Sequence, residues 1–139
     1  MTTVLTVLGL ALLIAILVYV DSRRRSKAIE RMFAGRRRLT EDEFFQEYFA
    51  NTDVEREISI KVRRVLGQQL DADLSRLAPS DSLSGNLKCL LAFDSMADVA
   101  IIESLEKEFG ITFTDEEASA MHTVRDIVLS VTKQLKAQQ

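Results

Sequence analysis

The stretch from residue 94 to residue 128, DSMADVAIIESLEKEFGITFTDEEASAMHTVRDIV, decides the fold. Met96, Val99, Ile102 and Leu105 recur every third residue ahead of Phe109, a spacing that lines one face of a helix. Gly110 then stands where the chain must turn left-handed, a conformation that costs little only for glycine. The pattern predicts a helix from Asp94 or Ser95 to Phe109 with that stripe facing the core, so that an aspartate at Val99 or Leu105 unfolds the domain. Ser95 with Asp98, Thr114 with Glu117, and Thr123 with Asp126 each set a hydroxyl three residues ahead of an acid, the pattern of a capping box. A short helix is expected after Thr114. A last one, from Thr123 to about Lys136, turns Val124, Ile127, Val128 and Val131 inward.

Toward the N-terminus, residues 54 to 69 offer Ile58, Val62, Val65 and Leu66 on one helical face. Residues 70 to 93 read as loop, broken by Pro79, Ser80, Asp81, Ser82, Gly85 and Asn86, with room for a turn over Leu87 to Phe93. Thr40 with Glu43 and Thr52 with Glu55 repeat the capping pattern. Between them a short helix, about 41 to 50, groups Phe44, Phe45, Tyr48 and Phe49. That stripe needs cover, either by docking onto the following domain or by contact with a membrane interface. Strand-like alternation is nearly absent, so the expected class is all-α.

Residues 2 to 20, TTVLTVLGLALLIAILVYV, carry no charge. At about 1.5 Å of helical rise per residue they cover most of a hydrocarbon layer of about 30 Å. A basic run follows: Arg23, Arg24, Arg25, Lys27, Arg31, Arg36, Arg37 and Arg38. Residues 21 to 38 are net +6, and residues 39 to 139 are net −9, so the formal −3 of the whole chain conceals two opposite fields. The one-sided basic flank predicts a membrane anchor with the N-terminus outside and the rest cytoplasmic, rather than a cleaved signal peptide. It reads first as a stop-transfer signal with a solvated helical stem, and second as a site of attraction to anionic lipid. Nucleic-acid binding does not suit a run that abuts a membrane in an otherwise acidic chain. The expected organisation is an anchor at 1–20, a basic juxtamembrane stem at 21–38, a short aromatic helix and linker at 39–53, and a four-helix bundle domain at 54–139.

The chain holds one Cys and one His, which excludes a disulfide framework and the usual zinc ligand sets. Asp71, Asp73 and Ser75 begin like a calcium loop, but Arg76 stands at the sixth position and Ser82 at the twelfth, where glycine and glutamate are required. No metal site is expected. Ser95, His122 and an aspartate name the members of a hydrolase triad, but a small helical domain lacks the strand-turn-helix elbow that would assemble them. His122 is expected as a cap or an exposed residue, and Cys89 as a small loop or partly buried one.

From Asp94 onward the text resembles acyl carrier proteins: an Asp-Ser pair, an apolar helix ending in Leu105-Glu106-x-x-Phe109, an acidic helix, then Thr123-Val124 opening the last helix. VRRVLGQQL at 62–70 looks like the end of that family's first helix, and Leu77, Asp81 and Leu83 sit where its loop places apolar anchors. The likeness covers about residues 54 to 136. It implies a carrier rather than an enzyme. Ser95 would accept phosphopantetheine from coenzyme A, Asp94 would be recognised by the phosphopantetheinyl transferase, and the arm's thiol would hold acyl groups as thioesters for lipid or polyketide-like synthesis. Asp98, Glu103 and Glu106 would face acyl-transfer or synthase enzymes with basic docking patches. The apolar face behind Ser95 would act as core and, in addition, enclose a short acyl chain. The chain departs from the family pattern in Ala92-Phe93 before the Asp-Ser pair, in a loop about four residues longer between Leu83 and Ser95, and in Ala97 and Ala100 where many members have acids. Two alternatives stay open: Ser95 as a cap alone, and a carrier-like fold without a prosthetic group acting as a scaffold in a membrane complex.

Overall fold

The computed structural model describes residues 1–91 and 96–139. It divides into two compact units, Met1–Ala34 and Gly35–Gln139.

The first unit is a single helix, α1 (Thr2–Met32), which continues from the apolar stretch through the first part of the basic run and buries none of its residues. Its apolar segment is exposed all round, with a mean hydropathy of 2.7 over 18 residues, so it is long and apolar enough to cross a membrane. Thr6 donates its hydroxyl to the carbonyl of Thr3 at 2.8 Å, which leaves it no unmet polar group in an apolar setting. At the charged end, the Arg23 guanidinium lies 5.2 Å from the centre of the Tyr19 ring.

The second unit is all-helical, and no strand occurs among its described residues. Its elements are α2 (Glu41–Tyr48), α3 (Arg56–Leu70), a single turn α4 (Lys88–Leu91), α5 (Ala97–Phe109), α6 (Asp115–Ala120) and α7 (Val124–Ala137). α3 forms the centre, packing against α2, α5 and α7. The core combines Ile58, Val62, Val65 and Leu66 of α3 with Val124, Ile127, Val128 and Val131 of α7. Both faces are as their periodicity predicts. Thr40, Thr114 and Thr123 close complete capping boxes with Glu43, Glu117 and Asp126. Gly110 ends α5 in the left-handed region at φ 64°.

Two readings need correction. Thr52 does not cap a helix with Glu55. Its hydroxyl donates to the Phe49 carbonyl at 2.6 Å and accepts from the Val54 N–H, closing a turn, and α3 starts afterwards with Glu55 at its N-cap and no side-chain cap. The buried face of α5 is also turned from the predicted one. It consists of Ala97, Ile101 and Leu105, whereas Met96 is 59% and Val99 46% exposed. Successive residues are about 100° apart on a helix, so an arc that includes both Ile101 and Ile102 is too wide for its core edge to be read from spacing alone. Val99 therefore has no core role, and an aspartate there should leave the domain folded.

Phe44 and Phe49 are fully buried in the second unit, with ring centres 5.8 Å apart, so the aromatic stripe of α2 docks onto the domain. Arg63 of α3 covers the Phe44 ring at 5.0 Å and donates to the Leu39 carbonyl at 3.0 Å. The segment just ahead of α2 is joined to the same domain. Arg36 pairs with Asp81, Arg37 with Glu43 and Glu47, and Arg38 with Asp73. Three of the eight basic residues in the flank are thus engaged by carboxylates of the second unit.

Candidate functional site

Asp81 organises the loop that leads to the site. It is only 2% exposed, and a buried carboxylate requires donors. Four are present. Arg36 donates through both terminal nitrogens, at 2.8 and 3.0 Å, the Ala78 N–H at 2.8 Å, and the Asn86 amide at 2.7 Å. Hydrogen bonding to Asp81 raises the pKa of Arg36 above its ordinary value, which favours the charged guanidinium. The backbone of the same stretch runs beside the start of α7: Arg125 N–H donates to Pro79, Val124 N–H to Asp81, and Leu83 N–H to His122.

These bonds hold His122 at the rim of a cavity. His122 also donates its own N–H to Asp126 at 3.0 Å. The cavity, of about 690 Å³, opens between the 83–91 segment, α5, α6 and the start of α7. Leu83, Leu91, Val99, Ile102 and Met121 line its wall, with Ile101 and Ile127 at its fully buried side. Ser84, Lys88, Asp98, Glu103, Asp115 and His122 supply its polar edge. Its size lies within the range of about 300 to 1,000 Å³ usual for small-ligand sites. Val99 and Ile102, read from spacing as core, are cavity lining.

Asp94 and Ser95 lie outside the described residues, as do Ala92 and Phe93. Their segment joins Leu91, on the cavity wall, to Met96, the N-cap of α5. The Ser95–Asp98 cap likewise falls outside the described residues. Of the acids expected to face partners, Asp98 and Glu103 are exposed at the cavity edge. Glu106 is half-buried and accepts the Phe113 N–H at 2.8 Å, which pins the turn after α5. Lys61 lies 3.7 Å from Glu108. Cys89 is exposed on α4. Asp73, in the calcium-like stretch, accepts the Ser75 N–H and pairs with Arg38.

A family model described as the phosphopantetheine attachment site matches residues 61–131, just over half of the chain. The chain is also 36% identical over 72 residues to an acyl carrier protein of Thermosynechococcus vestitus, an alignment covering 52% of this chain and 84% of that protein. The chain belongs to the acyl carrier protein family. Its prosthetic group is a covalently attached phosphopantetheine. The residues present fit such a group: an apolar cavity with a polar edge opens beside the start of α5, suited to an arm with polar amides and an apolar cargo. When attached, the group supplies a terminal thiol that holds acyl groups as thioesters.

Sequence reading of the carrier missed Arg36, Asn86, Lys88 and Met121 as parts of the site. No local signal marks them, since Arg36 and Asp81 are 45 residues apart. One consequence can be measured at Asp126. Desolvation pushes its carboxyl up, but the N–H groups of Thr123 and His122 and the Thr123 side chain outweigh it, so its pKa lies below the ordinary 3.8. A depressed folded-state pKa adds stability that is present above the unfolded value and lost as pH falls through the folded one. The thermal midpoint of residues 35–139 should therefore fall as pH drops below about 4. Asp126→Asn should flatten that fall and cost about 1 kcal/mol at neutral pH. An unchanged acid limb in Asp126→Asn would remove Asp126 from the account.

Proposed function

We propose that this carrier holds acyl groups as thioesters on a phosphopantetheine arm attached at Ser95, and presents them to lipid- or polyketide-like synthesis at the cytoplasmic face of a membrane. The observation that carries the reading is the phosphopantetheine attachment match over residues 61–131, within which an Asp-Ser pair stands in the sequence directly ahead of Met96, the N-cap of α5. Ser95 directly precedes Met96, the N-cap of the 13-residue α5, and a helix N-terminus favours an anion through its free N–H groups and dipole. Asp94 serves recognition by the phosphopantetheinyl transferase. Asp98, Glu103 and Glu106 offer a negative field to acyl-transfer or synthase enzymes with basic docking patches. The apolar wall gives an acyl chain a place out of water, at about 25 cal/mol per Å² buried. The role is that of a carrier and not a catalyst. The test is intact mass after incubation with coenzyme A and a broad-specificity phosphopantetheinyl transferase. The wild type should gain one arm, and a gain located at Ser82 or Ser84 would overturn the assignment.

Residues 1–20 serve as the anchor, 21–38 as the basic stem, 39–53 as the aromatic helix and linker, and 54–139 as the carrier domain. Exposure of α1 on all sides supports the anchor, and the basic flank after it supports a cytoplasmic domain. Attraction to anionic lipid falls to Arg23, Arg24, Arg25, Lys27 and Arg31, because Arg36 to Arg38 face carboxylates of their own unit. A C-terminal reporter that is active only in an oxidising compartment should stay silent. Activity there would reverse the topology.

A further inference from the structure

We propose that Arg36, which belongs to the basic flank and not to the matched family region, is a positioning residue for the attachment site. It would act by clamping the 79–91 segment that walls the cavity and leads into residue 95; the proposal rests on Ser95 being that site.

The clamp is a built arrangement. Both terminal nitrogens of Arg36 meet both oxygens of Asp81, a paired geometry that fixes the plane of the carboxylate as well as its place. The same two oxygens accept from Ala78 N–H and from the Asn86 amide, and the Asn86 side chain in turn accepts from Ser82 N–H. Ser82, Asn86 and Asp81 therefore form one connected network around the turn at Gly85, where a Cβ would come within 3.1 Å of the Ser82 side chain. Leu87 N–H donates to Ser82 and Lys88 N–H to Gly85, so this turn carries α4 directly. Leu83, Ser84, Lys88 and Leu91, the cavity residues of this segment, all hang from it.

Removing the guanidinium leaves a 2%-exposed carboxylate with two donors from its own loop and none bearing charge. Among the described residues, no cation other than Arg36 donates to the Asp81 carboxylate. Hydrating that carboxylate requires the loop to open toward water, which would move the part of the cavity wall that this loop supplies. Lysine would restore charge at a single point without the fork that holds the carboxylate plane.

The experiment uses the full chain in detergent micelles: wild type, Arg36→Gln, Arg36→Lys, and Val62→Ala as a core change outside the clamp. Amide hydrogen exchange is read at Leu83, Leu87 and Lys88 and across α3 and α7, and the kcat and KM of arm transfer from coenzyme A are read with a purified transferase. Arg36→Gln should speed exchange at the three loop amides by about tenfold while α3 and α7 keep theirs, and lower kcat/KM for transfer by a similar factor, with Arg36→Lys between. Val62→Ala should shift exchange across the helices and leave transfer near wild type. Uniform exchange changes in Arg36→Gln, like those of Val62→Ala, would reduce Arg36 to general stability and overturn the proposal. A local change with undiminished transfer would overturn it as well. If the wild type takes no arm at all, the failure belongs to Ser95, and the exchange comparison alone decides whether Arg36 holds the segment.

Discussion

Leu105→Asp should unfold residues 35–139 under conditions in which Val99→Asp leaves them folded. Leu105 is fully buried on α5, which packs against α3, so a carboxylate there loses its water. Loss of the leucine alone costs about 2 to 5 kcal/mol, and an unpaired buried charge adds several more. A domain of this size has only about 5 to 15 kcal/mol of net stability, so the sum exceeds or exhausts it. Val99, 46% exposed at the cavity wall, should cost within about 1 kcal/mol because its carboxylate can reach water. Its cost should appear instead in the cavity, as weaker shielding of a bound apolar chain. Helical circular dichroism and thermal melting of the two variants decide the matter. A folded Leu105→Asp, or an unfolded Val99→Asp, would contradict the assigned face of α5.

The contrast shows what could be read from the sequence and what could not. Thr40, Thr114 and Thr123 were legible because a capping box closes within four residues, and the bonds that form it need nothing from the rest of the chain. Thr52 has the same spacing to Glu55 but closes a turn, since the pattern does not say whether the chain continues as helix or bends. The α7 face was legible because Val124, Ile127, Val128 and Val131 keep the i, i+3, i+4, i+7 spacing of a single helical face. That of α5 was not, because Ile101 and Ile102 widen the arc, and only packing selects the half that becomes core. Asp81 was placed correctly in the loop as an anchor but read among apolar anchors. Its real partners include a residue 45 positions away, which no local pattern can reveal. The cavity was anticipated as a function of the α5 stripe, yet four of its fifteen lining residues come from the segment after Asp81, whose residues look like ordinary loop.

Ser95→Ala should abolish loading while leaving the domain folded. The substitution removes one hydroxyl, and its structural cost is at most that of a lost helix cap, about 0.5 to 2 kcal/mol. The chemical cost is total, because the phosphodiester must form at the Ser95 oxygen and alanine has none. Ser82 and Ser84 do not substitute: Ser82 is held in the Asn86 turn by its own backbone, and Ser84 belongs to the 83–91 segment of the cavity lining, not to the start of α5. Equal loading in wild type and Ser95→Ala would therefore refute the site without disturbing the fold.

The most direct test of the central claim is the mass of the chain purified from its native membrane, followed by fragmentation of the peptide that contains residue 95. The account predicts a population heavier by one phosphopantetheine arm, with or without an acyl group, and the whole increment on Ser95. A chain recovered only at its unmodified mass, and refractory to transferase and coenzyme A afterwards, would contradict the carrier role and leave the fold serving as a scaffold.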